Sequence, residues 1–139
     1  IWPMIGWLAG YKSPNGIPVL IGLEDISLSN DDLKALCAAF GATSASPMLH
    51  IKGHTPEGEL PSTQDAISTT IMPNDLLNLW QNFNTGNNKI DLVAIGSPHA
   101  STAECMKFLK LLLEKNQKEI IKRTISLIIK KKILNQFFI

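Results

Sequence analysis

A strand, a tight loop and a helix start follow one another between residues 90 and 113, and this unit constrains the fold most. Residues 90–95 read Ile-Asp-Leu-Val-Ala-Ile, a short aliphatic run typical of a buried β-strand. Ser101 and Glu104 then stand at capping-box spacing ahead of apolar residues at helical spacing. The loop between them therefore joins a strand to a helix N-terminus. In open α/β sheets this is where ligands bind.

The same strand-then-helix order precedes this unit twice. Strands are predicted over residues 17–21 and 47–51, and helices over residues 31–40, with Ser29 or Asn30 as the cap, and 73–83. This order predicts an α/β fold, a three-layer and mostly parallel sheet covered by helices. Because parallel strands end at one edge, His54 and His99 are expected to share one rim of the sheet.

Composition divides the chain into a body, residues 1–115, and a tail, residues 116–139. The body carries seven Lys or Arg and eleven Asp or Glu, so no basic surface for nucleic acid is expected. The tail carries six basic residues and one acidic residue among many isoleucines. Three interpretations of the tail stay open: a basic amphipathic helix on a membrane or partner, a poorly packed terminal helix, or a disrupted AT-rich reading frame. The last two are favoured over the first.

Membrane insertion and secretion are not expected. No apolar stretch reaches the roughly 20 residues that span a bilayer. The opening has no basic region followed by an apolar run, so no signal peptide is predicted. Cys37 and Cys105 have no metal-ligand spacing and are expected to be buried thiols in a reducing compartment. A cytoplasmic location follows from these features.

Two loops and one turn hold the residues that can carry chemistry. His54 and His99 are candidate general acids or bases, and Glu57 either orients His54 or is itself the base. His50 is expected to face a helix or the core. The small, hydroxyl-rich turn over residues 41–46 either holds a carboxylate or phosphate or is a tight turn that needs small side chains.

Several motifs together resemble one family. The resemblance runs in order through Trp-Pro-Met-Ile-Gly-Trp-Leu-Ala-Gly (residues 2–10), Ile-Pro-Val-Leu-Ile-Gly-Leu-Glu (17–24), Leu-Lys-Ala-Leu (33–36), His-Thr-Pro-Glu (54–57) and Gly-Ser-Pro-His-Ala-Ser (96–101). This series is similar to aconitase X, a family that includes cis-3-hydroxy-L-proline dehydratases and the large subunit of phosphomevalonate dehydratase. The resemblance covers about residues 1–113 and stops before the tail. The chain is therefore expected to be a segment of a longer catalytic domain.

The resemblance implies a hydro-lyase that removes a hydroxyl and a proton from a small hydroxy-carboxylate. The preferred substrate is cis-3-hydroxy-L-proline, with phosphomevalonate as the alternative. The family uses iron or an iron–sulfur cluster as a Lewis acid and a small swivelling domain or subunit as a partner. The implied catalytic residues are His99, Ser97, His54 and Glu57, and the implied substrate-binding residues are Thr43, Ser44, Thr55 and Ser101.

One position departs from the family pattern. Ser97 stands where many members carry a cysteine that binds iron, and a hydroxyl is a poor iron ligand compared with a thiolate. An iron centre is therefore doubtful in this chain, and no metal ligand is assigned. Two alternatives stay open: an inactive or purely structural polypeptide, and a membrane-surface module that uses the basic tail.

Overall fold

The computed structural model describes residues 1–46, 48–59, 66–86, 93–95, 99–114 and 125–127. The chain forms two compact units, Ile1–Thr85 and Gly86–Ile139. The predicted boundary at residue 115 lies outside the described residues. None of the helices in the described ranges has the length and apolar character that crossing a membrane requires.

Three helices form most of the first unit: α1 (Trp2–Lys12), α2 (Asn30–Gly41) and α3 (Pro73–Phe83). The bounds of α2 and α3 agree with the predicted helices. Of the two predicted caps for α2, Ser29 is the N-cap: its hydroxyl accepts the Asp32 N–H at 3.2 Å. The Asp32 carboxylate accepts the Ser29 N–H at 3.0 Å in return. This reciprocal capping box fixes where α2 begins.

Two glycines let α1 lie directly against α2. A Cβ placed on Gly6 would lie 2.0 Å from the Leu36 carbonyl oxygen, and one on Gly10 would lie 2.2 Å from Thr43 Oγ1. Any side chain at either position would therefore separate the helices. Leu36 and Phe40 of α2 are buried, as are Leu8 and Ala9 of α1. The hydrophobic core of the first unit therefore lies between α1 and α2.

An aromatic cluster and an ion pair connect α3 to α1. The Trp7 ring stacks on Tyr11 with centroids 5.3 Å apart, and it meets Phe83 edge-on at 5.8 Å. Lys12 Nζ, at the end of α1, lies 3.2 Å from a carboxylate oxygen of Asp75 in the first turn of α3. The two helices are thus fixed at both ends of this contact.

The strands of the first unit are short and parallel. β1 (Val19–Leu20) pairs with β2 (His50–Ile51), with Val19 opposite His50 and Leu20 opposite Ile51. Both strands are shorter than the runs predicted over residues 17–21 and 47–51. A helix and two strands alternate here with parallel pairing, so the described part of the chain is α/β.

The second unit contains α4 (Thr102–Glu114), β3 (Val93–Ile95) and β4 (Ile125–Leu127). α4 and the described part of β3 agree with the prediction. β4 pairs in parallel with β3, so the helical interpretations of the tail are wrong at these three residues. Residues 124–129 are rich in β-branched side chains, which favour a strand once a partner strand is present.

Candidate active site

The loops that follow β1 and β2 meet at the carboxyl edge of the first strand pair. His54, in the loop after β2, places its Nε2 2.8 Å from the carbonyl oxygen of Leu23, in the loop after β1. A carbonyl oxygen only accepts hydrogen bonds, so Nε2 carries a proton and donates it, which leaves Nδ1 for other partners. His54 thus lies at the carboxyl edge of this strand pair, and its role in catalysis stays a prediction.

A carboxylate that the sequence analysis left without a role supports this junction. Glu24 accepts the Gly22 N–H at 2.7 Å. A hydrogen bond from its own backbone N–H, together with that of Gly22 and the nearby charge of Lys52, holds the pKa of Glu24 below its usual value, although partial desolvation opposes this. Gly53 has φ +77, and a Cβ there would lie 3.1 Å from Glu24 Cα. The sequence feature that could have indicated the Gly22–Glu24 hydrogen bond is the run Gly-Leu-Glu directly after the predicted strand.

Glu57 lies on a turn of 3-10 helix, Pro56–Glu59, that folds back over the end of β2. A Cβ on Gly58 would lie 2.9 Å from both the Ile51 oxygen and Lys52 Cα, so a glycine is required at this approach. The turn brings Glu57 Oε2 to 3.7 Å from His50 Nδ1. The prediction that Glu57 orients His54 is therefore corrected: its imidazole neighbour is His50.

Thr55 closes the loop between β2 and this turn. Its hydroxyl accepts the Ile51 N–H at 3.0 Å and faces the Ile51 carbonyl oxygen at 3.2 Å. Its backbone N–H also donates to the Ile51 oxygen, at 2.9 Å. The Thr55 hydroxyl therefore fixes the shape of the loop, and its contact with substrate stays a prediction.

Thr43 and Ser44, predicted to hold the substrate carboxylate, have partners inside the protein. The Thr43 hydroxyl donates to the Trp7 oxygen at 2.9 Å, and the Ser44 hydroxyl lies 3.3 Å from the backbone oxygens of Ser13 and Pro14. Ser44 Oγ also accepts the Ser46 N–H at 3.1 Å. These bonds tie the end of α2 to α1 and match the second interpretation, a tight turn that needs small side chains.

The predicted capping box at the start of α4 is confirmed. The Ser101 N–H donates to a Glu104 carboxylate oxygen at 2.7 Å, and the Glu104 N–H donates to Ser101 Oγ at 3.1 Å. His99 is exposed just ahead of this helix. Ser97 lies outside the described residues. That His99 and His54 share one rim stays a prediction, since they belong to different units.

The described residues do not by themselves fit an iron centre. Within them, no group of three or more His, Cys, Asp or Glu side chains is placed to hold a metal ion. Cys105 is buried as predicted, whereas the prediction is wrong for Cys37, which is exposed; partial desolvation raises the pKa of the Cys37 thiol. No catalytic step is therefore assigned to a metal.

The edge of the first strand pair combines groups suited to proton transfer. The Glu57 carboxylate is about half exposed (55%), whereas the His50 side chain is mostly covered (15%). His54 lies between β2 and the turn that carries Glu57, and its Nδ1 is the ring nitrogen that is not bonded to Leu23. A carboxylate that is accessible to solvent and two imidazoles, all within β2 and the chain that follows it, are the parts of a general acid–base site.

Comparison with known proteins identifies similar chains. The family model of the aconitase X second domain matches residues 1–81. A cis-3-hydroxy-L-proline dehydratase of Hypocrea jecorina is 34% identical over 119 residues, which cover 79% of this chain and 20% of that protein. A phosphomevalonate dehydratase large subunit of Methanocaldococcus jannaschii is 34% identical over 113 residues, which cover 80% of this chain and 28% of that protein.

A second cis-3-hydroxy-L-proline dehydratase, from Pseudomonas aeruginosa, is 34% identical over 111 residues, 74% of this chain and 19% of that protein. The matched segment thus spans between 19% and 28% of the length of these three relatives. The family model covers the whole edge described above, from β1 to the turn that carries Glu57.

Proposed function

This chain belongs to the aconitase X family, and on that premise we propose that it is a segment of a hydro-lyase that dehydrates a small hydroxy-carboxylate. The observation that carries the proposal is that the family match over residues 1–81 includes the edge where His54 and Glu57 lie. A hydro-lyase needs a proton acceptor that substrate can reach, and the half-exposed Glu57 carboxylate supplies one.

The reaction proposed at this edge is elimination of water. Glu57 accepts the proton from the carbon next to the substrate carboxylate, and the electrons of that C–H bond form the new double bond. The C–O bond at the neighbouring carbon breaks, and the departing hydroxyl takes a proton from Nδ1 of the protonated His54 ring and leaves as water, while Glu57 later releases the substrate proton to solvent. His54 is proposed as the second acid–base group, since its Nδ1 is the nitrogen that the Leu23 contact leaves for proton exchange.

The loop before α4 is proposed to supply the remaining groups. His99 and Ser97 are proposed as catalytic residues and Ser101 as a substrate contact, as the family resemblance implies. Thr55 is proposed as a further contact from the first unit. For Thr43 and Ser44 we propose a structural role, because their hydroxyls are bonded to backbone oxygens of α1 and of the residues that follow it.

The preferred substrate is cis-3-hydroxy-L-proline. Lys52 is the single cation in residues 21–24 and 52–55, the two loops of the edge, and a phosphorylated substrate calls for several positive donors. Phosphomevalonate is the alternative, because several similar proteins are phosphomevalonate dehydratase large subunits.

The larger assembly is proposed from the same resemblance. Residues 1–115 would form part of a three-layer catalytic domain in the cytoplasm, and residues 116–139 would lie outside the family fold. A small swivelling domain or subunit would be the partner, in keeping with the words "large subunit" in the names of the archaeal relatives. Iron or an iron–sulfur cluster is a feature of the family that the described residues do not reproduce.

Turnover of the two substrates by the intact protein tests this proposal. We expect dehydration of cis-3-hydroxy-L-proline, followed as loss of substrate and gain of the unsaturated product by NMR, and slower turnover of phosphomevalonate. Faster turnover of phosphomevalonate would reverse the substrate preference. Absence of turnover with both would overturn the enzymatic proposal in favour of a non-catalytic polypeptide, the alternative to which Ser97 points.

A further inference from the structure

We propose that His50 is a positioning residue for Glu57: it holds the carboxylate from the protein side while the opposite side remains open to substrate. The inference rests on the proposed function, in which Glu57 accepts the substrate proton. It deepens that function by adding His50, a residue that the sequence predicts to face a helix or the core.

His50 is built into the most constrained part of the edge. It lies in β2 opposite Val19, and its N–H donates to the Pro18 oxygen at 2.9 Å. The next residue, Ile51, is 1% exposed. The backbone of His50 is therefore fixed by strand pairing, and its side chain is itself only 15% exposed, so the surrounding protein restricts the ring that Glu57 approaches.

Glu57 reaches His50 because the chain reverses sharply after β2. The Gly58 N–H donates to the Thr55 oxygen at 3.0 Å, and Gly58 lies against the backbone of Ile51 and Lys52, where no side chain fits. The reversal sets Glu57 Oε2 3.7 Å from His50 Nδ1. The course of the loop therefore brings Glu57 close to His50, so their contact depends on the backbone as well as on the rotamer of Glu57.

The distance between His50 and Glu57 and the chemistry of the two groups suit a positioning role for His50. At 3.7 Å the two atoms are beyond hydrogen-bond length, and such contacts commonly tighten when substrate binds and water leaves. A proton on Nδ1 would then point at one Glu57 oxygen and leave the other for the substrate proton. His54 is not placed for this task, because its Nε2 donates to the Leu23 oxygen.

The contact itself is testable in this chain without any activity. Long-range proton–nitrogen NMR spectra report the two ring nitrogens of each histidine. We expect Glu57→Gln to shift the His50 Nδ1 signal and to leave the His54 signals in place. The control is Asp25→Asn, which changes an exposed carboxylate of the same unit. An unchanged His50 signal in Glu57→Gln would overturn the pairing.

Kinetics of the intact protein test the positioning role. His50→Leu removes the ring nitrogens, whereas His50→Asn keeps an N–H donor near the place of Nδ1. We expect His50→Leu to lower kcat by about 10-fold or more with KM changed by less than about 3-fold, and His50→Asn to recover most of the loss. Equal losses in both variants, or full kcat in a folded His50→Leu, would overturn the inference while leaving the proposed function intact.

If the wild-type protein turned over neither substrate, the proposed function would fail, and the positioning role with it. The NMR result would still decide whether His50 and Glu57 are in contact.

Discussion

At the scale of single residues, two glycines determine how closely the helices of the first unit approach. Gly6 faces the Leu36 backbone and Gly10 faces Thr43, each at a distance that no Cβ tolerates. At Gly6 the atoms in the way belong to the backbone of α2 and cannot rotate aside, and at Gly10 the backbone oxygen of Phe40 lies 2.8 Å from the added Cβ, in addition to the Thr43 side chain.

Replacement of Gly6 by alanine should therefore destabilise the protein. The added methyl must push α1 away from α2, and overpacking of this kind costs about 1–3 kcal/mol. The matched control is Gly41→Ala at the end of α2, where nothing lies within 4 Å of the added atom. The control should be neutral or more stable, by up to about 1 kcal/mol, because alanine restricts the unfolded chain. Urea unfolding measures both, and equal effects of the two would contradict the contact.

Thr43 offers a second test at this scale. Its hydroxyl donates to the Trp7 oxygen and so ties the end of α2 to α1. We expect Thr43→Val to lower the free energy of unfolding by about 1 kcal/mol, and Thr43→Ser to retain most of it, because serine keeps the donor. Should Thr43→Val leave stability unchanged and raise KM instead, the hydroxyl would serve the substrate and the structural role would be wrong.

The sequence indicates which residue types carry chemistry at this edge but not which of them meet. His54 is three positions from Glu57 and His50 is seven, so proximity along the chain favours His54. The structure pairs Glu57 with His50, since the 3-10 turn reverses the chain and Gly58 admits the close approach to β2. That reversal depends on a tertiary contact, which local spacing does not encode.

At the scale of elements, helix bounds follow from local signals and strand bounds do not. Ser29 with Asp32 and Ser101 with Glu104 mark two helix starts that the structure reproduces. The strands depend on partners elsewhere in the chain: β1 and β2 pair over only two residues each, and β4 comes from a segment expected to be helical or poorly packed. Capping is local chemistry, whereas strand pairing is not.

Removal of the α2 cap should have a measurable cost. Ser29→Ala leaves the Asp32 N–H without its acceptor and should lower the free energy of unfolding by about 1 kcal/mol. Ser27→Ala alters an exposed serine two positions earlier and serves as the control. Chemical denaturation of both variants gives the comparison. A cost as large for Ser27→Ala would mean that the effect is not one of capping.

The contact between α1 and α3 should weaken in acid. The Met72 N–H, and then the Lys12 ammonium, hold the pKa of Asp75 below its ordinary value. The ionised carboxylate therefore contributes stability above the unfolded-state pKa of about 3.9, and this contribution is lost as the pH falls through the lower native pKa. Asp75→Asn should have a shallower fall of Tm below about pH 4 than the wild type. Parallel Tm curves for the two proteins would contradict this.

At the scale of the whole molecule, the first unit holds most of the described buried side chains and the candidate residues His54 and Glu57. The described buried apolar side chains lie there, with Cys105 of α4 as the exception: Leu8, Ala9, Leu36, Phe40, Ile51 and Leu79. The family match over residues 1–81 falls in this same unit. One small α/β unit thus joins packed helices to a strand edge that carries the candidate acid–base residues.

The central proposal is that Glu57 is the proton acceptor of a dehydratase. The most direct test compares steady-state dehydration of cis-3-hydroxy-L-proline by the intact wild-type protein with that by Glu57→Gln, and uses Asp25→Asn as the control. Glutamine keeps the shape of the side chain but does not accept the proton, so kcat should fall by about 100-fold or more while the control stays at the wild-type rate. A folded Glu57→Gln protein with the wild-type kcat would contradict the account.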